Sequence, residues 1–417
     1  MSHGKRFYRP IFILLVVLSA LAVPTALLAQ ADMPKVICDR LSDEDCLLLQ
    51  RSRQAMNEVT TARSHSESLF QLVDIPSMVM DGEPLEIPEL AISVTLDNAY
   101  AFDERTAEQW QALAAIDQNV MGLAALVAPE SILQIFAGLT AEMTLRLQLS
   151  EAVQVAFVEE LGEPLPAEMV INVRVIDNML YIDLNAIADA LDALPPPAAW
   201  GVVNLDDLWA LPATSSDNPP PATIFAFLVG AVAARNNDQL ITYYEDLQLL
   251  GALDRKLAPG RVVQVVRGED QIVHGITVAE YRSTIDVRRL VSWGATVVQQ
   301  FLDGLGEEVD PEVTVALTMG PSLLTGVEST FTAYIEPATA RVHRQENAFV
   351  WDFTALLSMA NLLASQSGTE FQVDSAAGQQ PQLVMRTETE FDYATPVIVE
   401  VPDDVIAVPL DEVFGQE

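Results

Sequence analysis

Basic side chains are scarce in this chain: 22 Lys and Arg stand against 59 Asp and Glu, a formal net charge of −37. A field of that sign repels nucleic acid and anionic membrane surfaces, which excludes a nucleic-acid partner. Histidine is scarcer still, four residues in 417, and general-base or zinc chemistry is confined to few positions. The short arrangements that report catalysis are also missing: there is no G-x-S-x-G, H-E-x-x-H, G-x-x-x-x-G-K-[ST] or C-x-x-C. Nor does a D-x-[DN]-x-[DN]-G calcium loop occur, so no metal or cofactor is expected. Aromatic residues are few at 7%, yet half of the chain is hydrophobic. That is ample for a large core and argues against disorder.

What is present begins with an export signal. Lys5, Arg6 and Arg9 form a basic start, Pro10 to Leu28 is almost wholly apolar, and Ala29-Gln30-Ala31 offers the small-x-small cleavage pattern. Residues 1–31 therefore read as a signal peptide, with an uncleaved anchor as the alternative. Either way the product belongs outside the cytoplasm or in the cell envelope. Loss of the leader removes three of the 22 basic residues and no acid, leaving 19 against 59; an acidic surface of this kind keeps an apolar-rich protein dispersed. The two cysteines, Cys38 and Cys46, are expected to close a small local disulfide in an oxidising compartment. Cys38 is no lipid-attachment cysteine, since Val36-Ile37 precedes it where small residues are needed.

Hydrophobic periodicity sorts the remainder. Ser42-Asp-Glu-Asp45 is a capping box opening a helix to about Thr60. Strands are expected at 64–73, 89–99, 143–149 and 169–184, the last folded at the turn signal Asp177-Asn178. Between 105 and 139 the period becomes helical, through Trp110, Leu113, Ile116, Met121, Leu126, Leu133 and Phe136, with a break at Pro129. Proline-rich loops at 194–197 and 212–221 bracket Trp200 to Trp209, and helices are expected at 223–234 and 240–250. Further strands follow at 261–267, 271–287, 313–319, 329–335, 341–353, 372–373 and 382–393, interrupted by a helix at 288–305. Many antiparallel strands with interposed helices and no βαβ alternation define an α+β fold with a large curved antiparallel sheet.

Each histidine beyond the leader has a plain reading as a surface or strand-edge residue: His65 at the first strand, His274 before Gly275, and His343 between Arg341 and Arg344. With 59 acids, carboxylate pairs are background. In the segment from Val273 to Val287, Tyr281, Ser283, Ile285 and Val287 share one face. Glu280, Arg282, Thr284 and Asp286 share the other, placed to pair on a solvated surface. The apolar excess leaves room for a cavity between sheet and helices.

Several stretches resemble the LolA-like group of exported proteins, with the mycobacterial-type lipoproteins of the LppX/LprG class as the nearest cousins. The carriers are D-N-x-L-Y-I-D-L at Asp177 to Leu184, the Trp and N-L-D-D-L at Trp200 to Leu208, V-x-G with Y-R-x-x-x-D at Val273 to Asp286, F-x-x-Y-I-E-P-A-T-A-R-V at Phe331 to Val342, and F-D-Y-A-T-P-V-I-V-E-V-P-D-D-V at Phe391 to Val405. The helix and strand from Ala55 to Phe70 also fit. The resemblance implies a half-barrel of antiparallel strands wrapped around helices, one domain over 32–417 with a helical insertion at about 105–139. It further implies an apolar cavity that carries acyl chains. Tyr181, Tyr281, Ile285, Phe331 and Tyr334, on strands beside these motifs, are the residues expected to line it; core packing is the alternative for each. The expected activity is non-enzymatic binding of a lipid or other hydrophobic small molecule. An envelope protein-interaction or sensor module on the same fold is the second reading, and a hydrolase with an unrecognised site the third.

Overall fold

A computed structural model of the chain describes residues 36–38, 40–80, 83–85, 88–114, 129–156, 166–183, 200–210, 222–223, 259–292, 324, 326–367, 371–374 and 380–407. The leader, both proline-rich loops, the helix expected at 240–250, the strand at 313–319 and most of the helices expected at 223–234 and 288–305 lie outside the described residues.

Strand β1 (Thr61–Val73) is the centre of a 13-stranded sheet. Two further strands, β2 (Ser77–Met80) and β3 (Glu83–Leu85), leave it for a separate three-stranded sheet with β14 (Phe371–Asp374). On one side β1 pairs with β4 (Leu90–Phe102), which continues outward through β5 (Leu139–Leu149), β6 (Glu168–Ile176), β7 (Met179–Asp183) and β8 (Trp200–Asn204). On the other side it pairs with β15 (Gln382–Asp392), then β13 (Val342–Asp352), β12 (Val327–Ile335) and β11 (Ile276–Ile285). The free side of β11 carries β9 (Val263–Arg267) and β10 (Gln271–Val273). Every pair is antiparallel except the last, where β16 (Val405–Ala407) runs parallel to β8. The sheet is thus two meanders joined by β1, and the fold is α+β with one large, mostly antiparallel sheet, as the strand pattern predicts.

Two of the hairpins are closed by residues that tolerate left-handed backbone. Asp177 and Asn178 sit at φ 52° and 61° between β6 and β7, the two-residue turn that the sequence signals. His274 and Gly275, at φ 49° and 80°, turn β10 into β11. The single strand expected over 271–287 is therefore a hairpin, and it ends at Ile285, because Asp286 accepts from the backbone N–H of Arg289 at 2.9 Å and caps a helix.

Besides the first turns of the helix that Asp286 caps, seven helices lie among the described residues. They are α1 (Asp43–Asn57), α2 (Glu104–Ala114), α3 (Pro129–Leu133), α4 (Glu151–Ala156), α5 (Leu205–Trp209), α6 (Pro259–Val262) and α7 (Thr354–Ser367). Ser42 caps α1 as its sequence predicts: the backbone N–H of Asp45 donates to Ser42 Oγ at 3.1 Å. Asp103 does the same for α2 through the N–H of Thr106 at 2.7 Å. Of the helical stretch expected over 105–139, the described parts are α2 and α3 from Pro129, followed by a 3₁₀ turn, Gln134–Gly138; residues 115–128 lie outside the described residues.

The helices cover one face of the sheet. Against the β4–β8 meander, Trp110, Ile132, Leu133, Phe136, Leu205 and Leu208 pack on Tyr100, Ala141, Met143, Ile171, Val173, Leu180 and Val203. Against the other meander, Leu48 of α1 packs on Ala279, Tyr281, Ala333, Ile335, Val342 and Phe391. Strand alternation supplies both sets, since residues two apart in β5 and β6 point the same way. Among the described residues no helix is long and apolar enough to cross a membrane.

Candidate functional site

The two faces of the sheet differ in kind. On the helix-covered inner face, the register sets Ala62, Ser64, Ser66, Ser68, Phe70 and Leu72 of β1 in successive rows. The rows of Ala62 and Ser64 are closed core: Ala62 is 2% exposed, its neighbour Tyr100 5%, and Met143, in the row of Ser64, 0%. Rows further along open out. Phe70 stands beside Met385, Phe349 and Ile92, and Leu72 beside Leu383, Trp351 and Leu90. Phe70 is 44% exposed and the others are half-buried. Eight apolar side chains on four adjacent strands thus form a strip less covered than the core beside it.

Between strip and core, on the β15 side, lies an uncharged polar island. Ser66 and Thr389 share a hydrogen bond of 2.8 Å, and Ser68 and Thr387 one of 3.0 Å. Gln345 and Asn347 of β13 extend the same two rows. The island offers hydroxyl and amide groups without a net charge, so it can hydrogen-bond a neutral polar group at the end of an apolar body.

Helix α1 is fastened over the β11 end of this face. The Cys38–Cys46 disulfide forms as expected, with Cα atoms 5.5 Å apart. One residue earlier, Asp45 accepts from Tyr281 Oη at 2.7 Å and pairs with Arg267 Nε at 3.3 Å. Burial raises the Asp45 carboxyl, but hydrogen bonds from Ser42 and Tyr281 and the charge of Arg267 outweigh it and hold the group below its ordinary value. Burial first, then the bond to Asp45, pushes the Tyr281 phenol far above its ordinary value. Arg267 also lies over the Tyr281 ring, 5.3 Å from its centroid.

The five residues expected to line a cavity are divided by this geometry. Tyr281, Ile285 and Phe331 lie on the inner face, where Tyr281 and Phe331 pack with α1 and Ile285 with Val262, Val263 and Val265. Tyr181 and Tyr334 lie on the outer face, in register with Arg174 and Arg344 respectively. The Tyr334 hydroxyl donates to Glu346 at 3.1 Å, and burial with the nearby Glu346 pushes its phenol up to about 12. The strip residues Phe70, Phe349, Trp351 and Met385 were not foreseen. Only alternation within their own strands pointed to them, and it does not say which strands adjoin.

The outer face is a network of polar side chains. Directly opposed residues on successive strands read Glu280, Tyr334, Arg344, Glu390, His65, Asp97, Thr144 and Asn172. Asn172 then donates to Asp183 on β7 at 3.0 Å and accepts from Thr144 at 2.9 Å. Arg344 bridges Glu346 at 2.6 Å and Glu388 at 2.8 Å. Arg282 pairs with Glu280 at 2.9 Å as the alternation predicts; the Arg282 end is open to solvent, while Glu280 is only 7% exposed and lies against Gly268. Asp286, expected to join them, caps its helix instead.

After β15 the chain crosses this outer face as a strap. The Arg63 guanidinium donates to the Pro396 carbonyl at 3.1 Å and that of Arg174 to the Glu400 carbonyl at 3.0 Å, and β16 then pairs with β8. All three histidines beyond the leader line one groove beside the strap, each on a carboxylate. Their separate plain readings gave no sign that the fold gathers them. Among the described residues no group of three or more His, Cys, Asp or Glu could hold a metal ion.

Fold and faces together define an α+β protein with an amphipathic sheet and a partly open apolar strip. No family model matches the chain, and no curated protein does. Among solved structures the chain is similar to LprF from Mycobacterium bovis, at 10% identity over 87% of this chain and 98% of that one, with a TM-score of 0.27. It is also similar to a DUF1329 family protein from Desulfovibrio piger ATCC 29098, at 9% identity over 84% and 92% of the two chains, with a TM-score of 0.16. The fold stands on its own strand order rather than on either likeness.

Proposed function

We propose that this protein binds a lipid or another hydrophobic molecule on the inner face of the sheet, as a non-enzymatic carrier or sequestering protein. The observation that supports this reading is the strip of Phe70, Leu72, Met385, Leu383, Phe349, Trp351, Ile92 and Leu90, half-buried or exposed on one face of four adjacent strands. Apolar area of this extent left partly in water is costly, at about 25 cal/mol per Å², and marks a surface that another apolar body covers. The Ser68 and Thr387 hydroxyls, half-buried next to the strip, would receive the ligand's polar end. The sequence stretches that resemble LolA-like exported proteins agree with this reading, and the Cys38–Cys46 bridge fits an oxidising compartment outside the cytoplasm.

Native mass spectrometry of protein purified from its own host tests the proposal. Wild type should carry a co-purifying hydrophobic molecule, and Phe70→Asp with Phe349→Asp should lose it while circular dichroism stays unchanged. Wild-type protein that arrives without ligand and fails to take up a fluorescent fatty acid would overturn it.

A further inference from the structure

The groove on the outer face encloses about 800 Å³ and is separate from the inner-face strip. Its floor is β1, β4 and β15. Its walls are the His274-Gly275 turn, the loop between β12 and β13 at Glu336 to Arg341, and the start of the strap at Asp392 to Ala394. Five carboxylates line it, those of Asp97, Glu142, Glu336, Glu390 and Asp392, against the guanidinium groups of Arg63 and Arg341. With neutral histidines this lining carries a net charge of −3, inside a protein of net charge −37. Walls of low dielectric focus such a field and raise the local concentration of cations.

Three of the carboxylates are each bonded by one histidine through one oxygen. His65 Nδ1 lies 2.7 Å from Asp97 Oδ1, His274 Nε2 3.1 Å from Glu390 Oε2, and His343 Nε2 3.2 Å from Glu336 Oε2. A neutral imidazole leaves the carboxylate its full charge and the second oxygen for another donor. The surroundings of each ring are charged. His65 also faces Glu67 at 3.3 Å, with Glu390 directly across on β15. The Tyr393 ring meets His343 edge-on at 5.5 Å, and Arg341 lines the same wall. The remaining charged groups, Arg63, Glu142 and Asp392, are held by the Pro396 carbonyl, by Arg174 at 2.7 Å, and by the N–H groups of Ala394 and Thr395.

We propose that this groove binds a linear multivalent cation, one with several alkylammonium or guanidinium groups, and releases it as the three histidines take up protons. Protonation brings up to three positive charges into a lining of net −3, cancelling the attraction at its source. The hydrogen bond that His65 donates to Asp97, assisted by Glu67, raises its imidazole above its ordinary value. Glu336 is held below the ordinary carboxylate range by the Thr339 hydroxyl first and His343 next, and stays ionised for a cation throughout.

Isothermal titration calorimetry of the full chain with spermidine, and in parallel with trilysine, tests this; the two separate a free polyamine from a basic peptide as the source of the charge. One-to-one binding of at least one probe is expected at about pH 7.5, weakened on the order of ten-fold at about pH 5.5. Asp97→Asn with Glu390→Gln should weaken it by a similar factor at the higher pH. Asp403→Asn with Asp404→Asn, an equal loss of charge on the strap outside the groove, should not. His65→Asn with His274→Asn and His343→Asn should keep binding and flatten its pH dependence. Absence of stoichiometric binding for both probes would overturn the proposal. So would equal losses in the two acidic double variants, which mean diffuse attraction, or an unchanged pH dependence without the histidines.

Discussion

The two meanders cover the same face of one sheet by different means. Between β4 and β8 the core is mainly apolar, with Asn98 and Thr106 as buried polar side chains: Met143 and Val173 are 0% exposed, and Ile132, Leu133, Leu205 and Leu208 press on them from the helices. Between β11 and β15 the cover is α1, which brings Leu48 as its buried apolar contact and is fastened by a disulfide and by the Asp45, Tyr281 and Arg267 cluster. That side also keeps Ser66, Ser283 and Thr389 buried beneath its surface. The first meander is held by area removed from water, which neither reductant nor mild acid alters. The second depends on a covalent link and on charge, and is open to both.

Substitutions can sharpen or break this contrast. Met143→Ala should have the largest effect, a loss of about 2–5 kcal/mol in urea unfolding, because it empties space in a fully closed core; the loss should be the same with and without reductant. Replacing Cys38 and Cys46 by Ser opens a link of sequence separation 8, worth about 2.5 kcal/mol in the loop-entropy account. Hydrogen exchange should then quicken in α1 and β11 and stay unchanged in β5 and β6; uniform quickening would break the comparison.

Tyr281→Phe removes a hydrogen bond to a charged acceptor and should cost about 1.5 kcal/mol. The same cluster predicts acid sensitivity on one side only. Since the Asp45 carboxyl lies lower in the folded state than its ordinary value, its contribution is complete above that ordinary value and fades as pH falls through the lower folded-state value. Protection of α1 should follow that course in wild type and lose this part of its pH dependence in Asp45→Asn. The smallest change is Thr389→Val, which leaves the Ser66 hydroxyl without its 2.8 Å partner and should cost about 1 kcal/mol by thermal unfolding.

Local signals were legible where neighbours in sequence are neighbours in space. The capping box at Ser42, the turn at Asp177-Asn178 and the alternation in β1, β4, β5 and β15 each report a structure made within a few residues. The helix α7 was not anticipated, since its apolar residues do not form a clean stripe between Thr354 and Ser367, and the three- and four-residue strands β2 and β3 are too short for a period to register. Neither the strip nor the groove was legible, for a different reason. His65 meets Glu390 only because β1 lies beside β15, and Phe70 meets Met385 by the same pairing. Alternation tells which residues of a strand share a face and nothing about which strand comes next.

That central pairing also has a kinetic meaning. Each meander is built from strands close along the chain and can pair as it emerges. β1, made early, finds its second neighbour only when residues 382–392 exist, some three hundred residues later. Long loop closure of this kind is slow. Until it happens one edge of β1 is unpaired, with Ser64, Ser66 and Ser68 in the middle of its inner face and large apolar side chains only at its end, Phe70 and Leu72. An unpaired strand is a template for other chains, and small polar side chains on its face leave them less apolar surface to pack on. The same serines that later sit beside the open strip would thus keep the half-finished molecule from aggregating while it waits for its last strand.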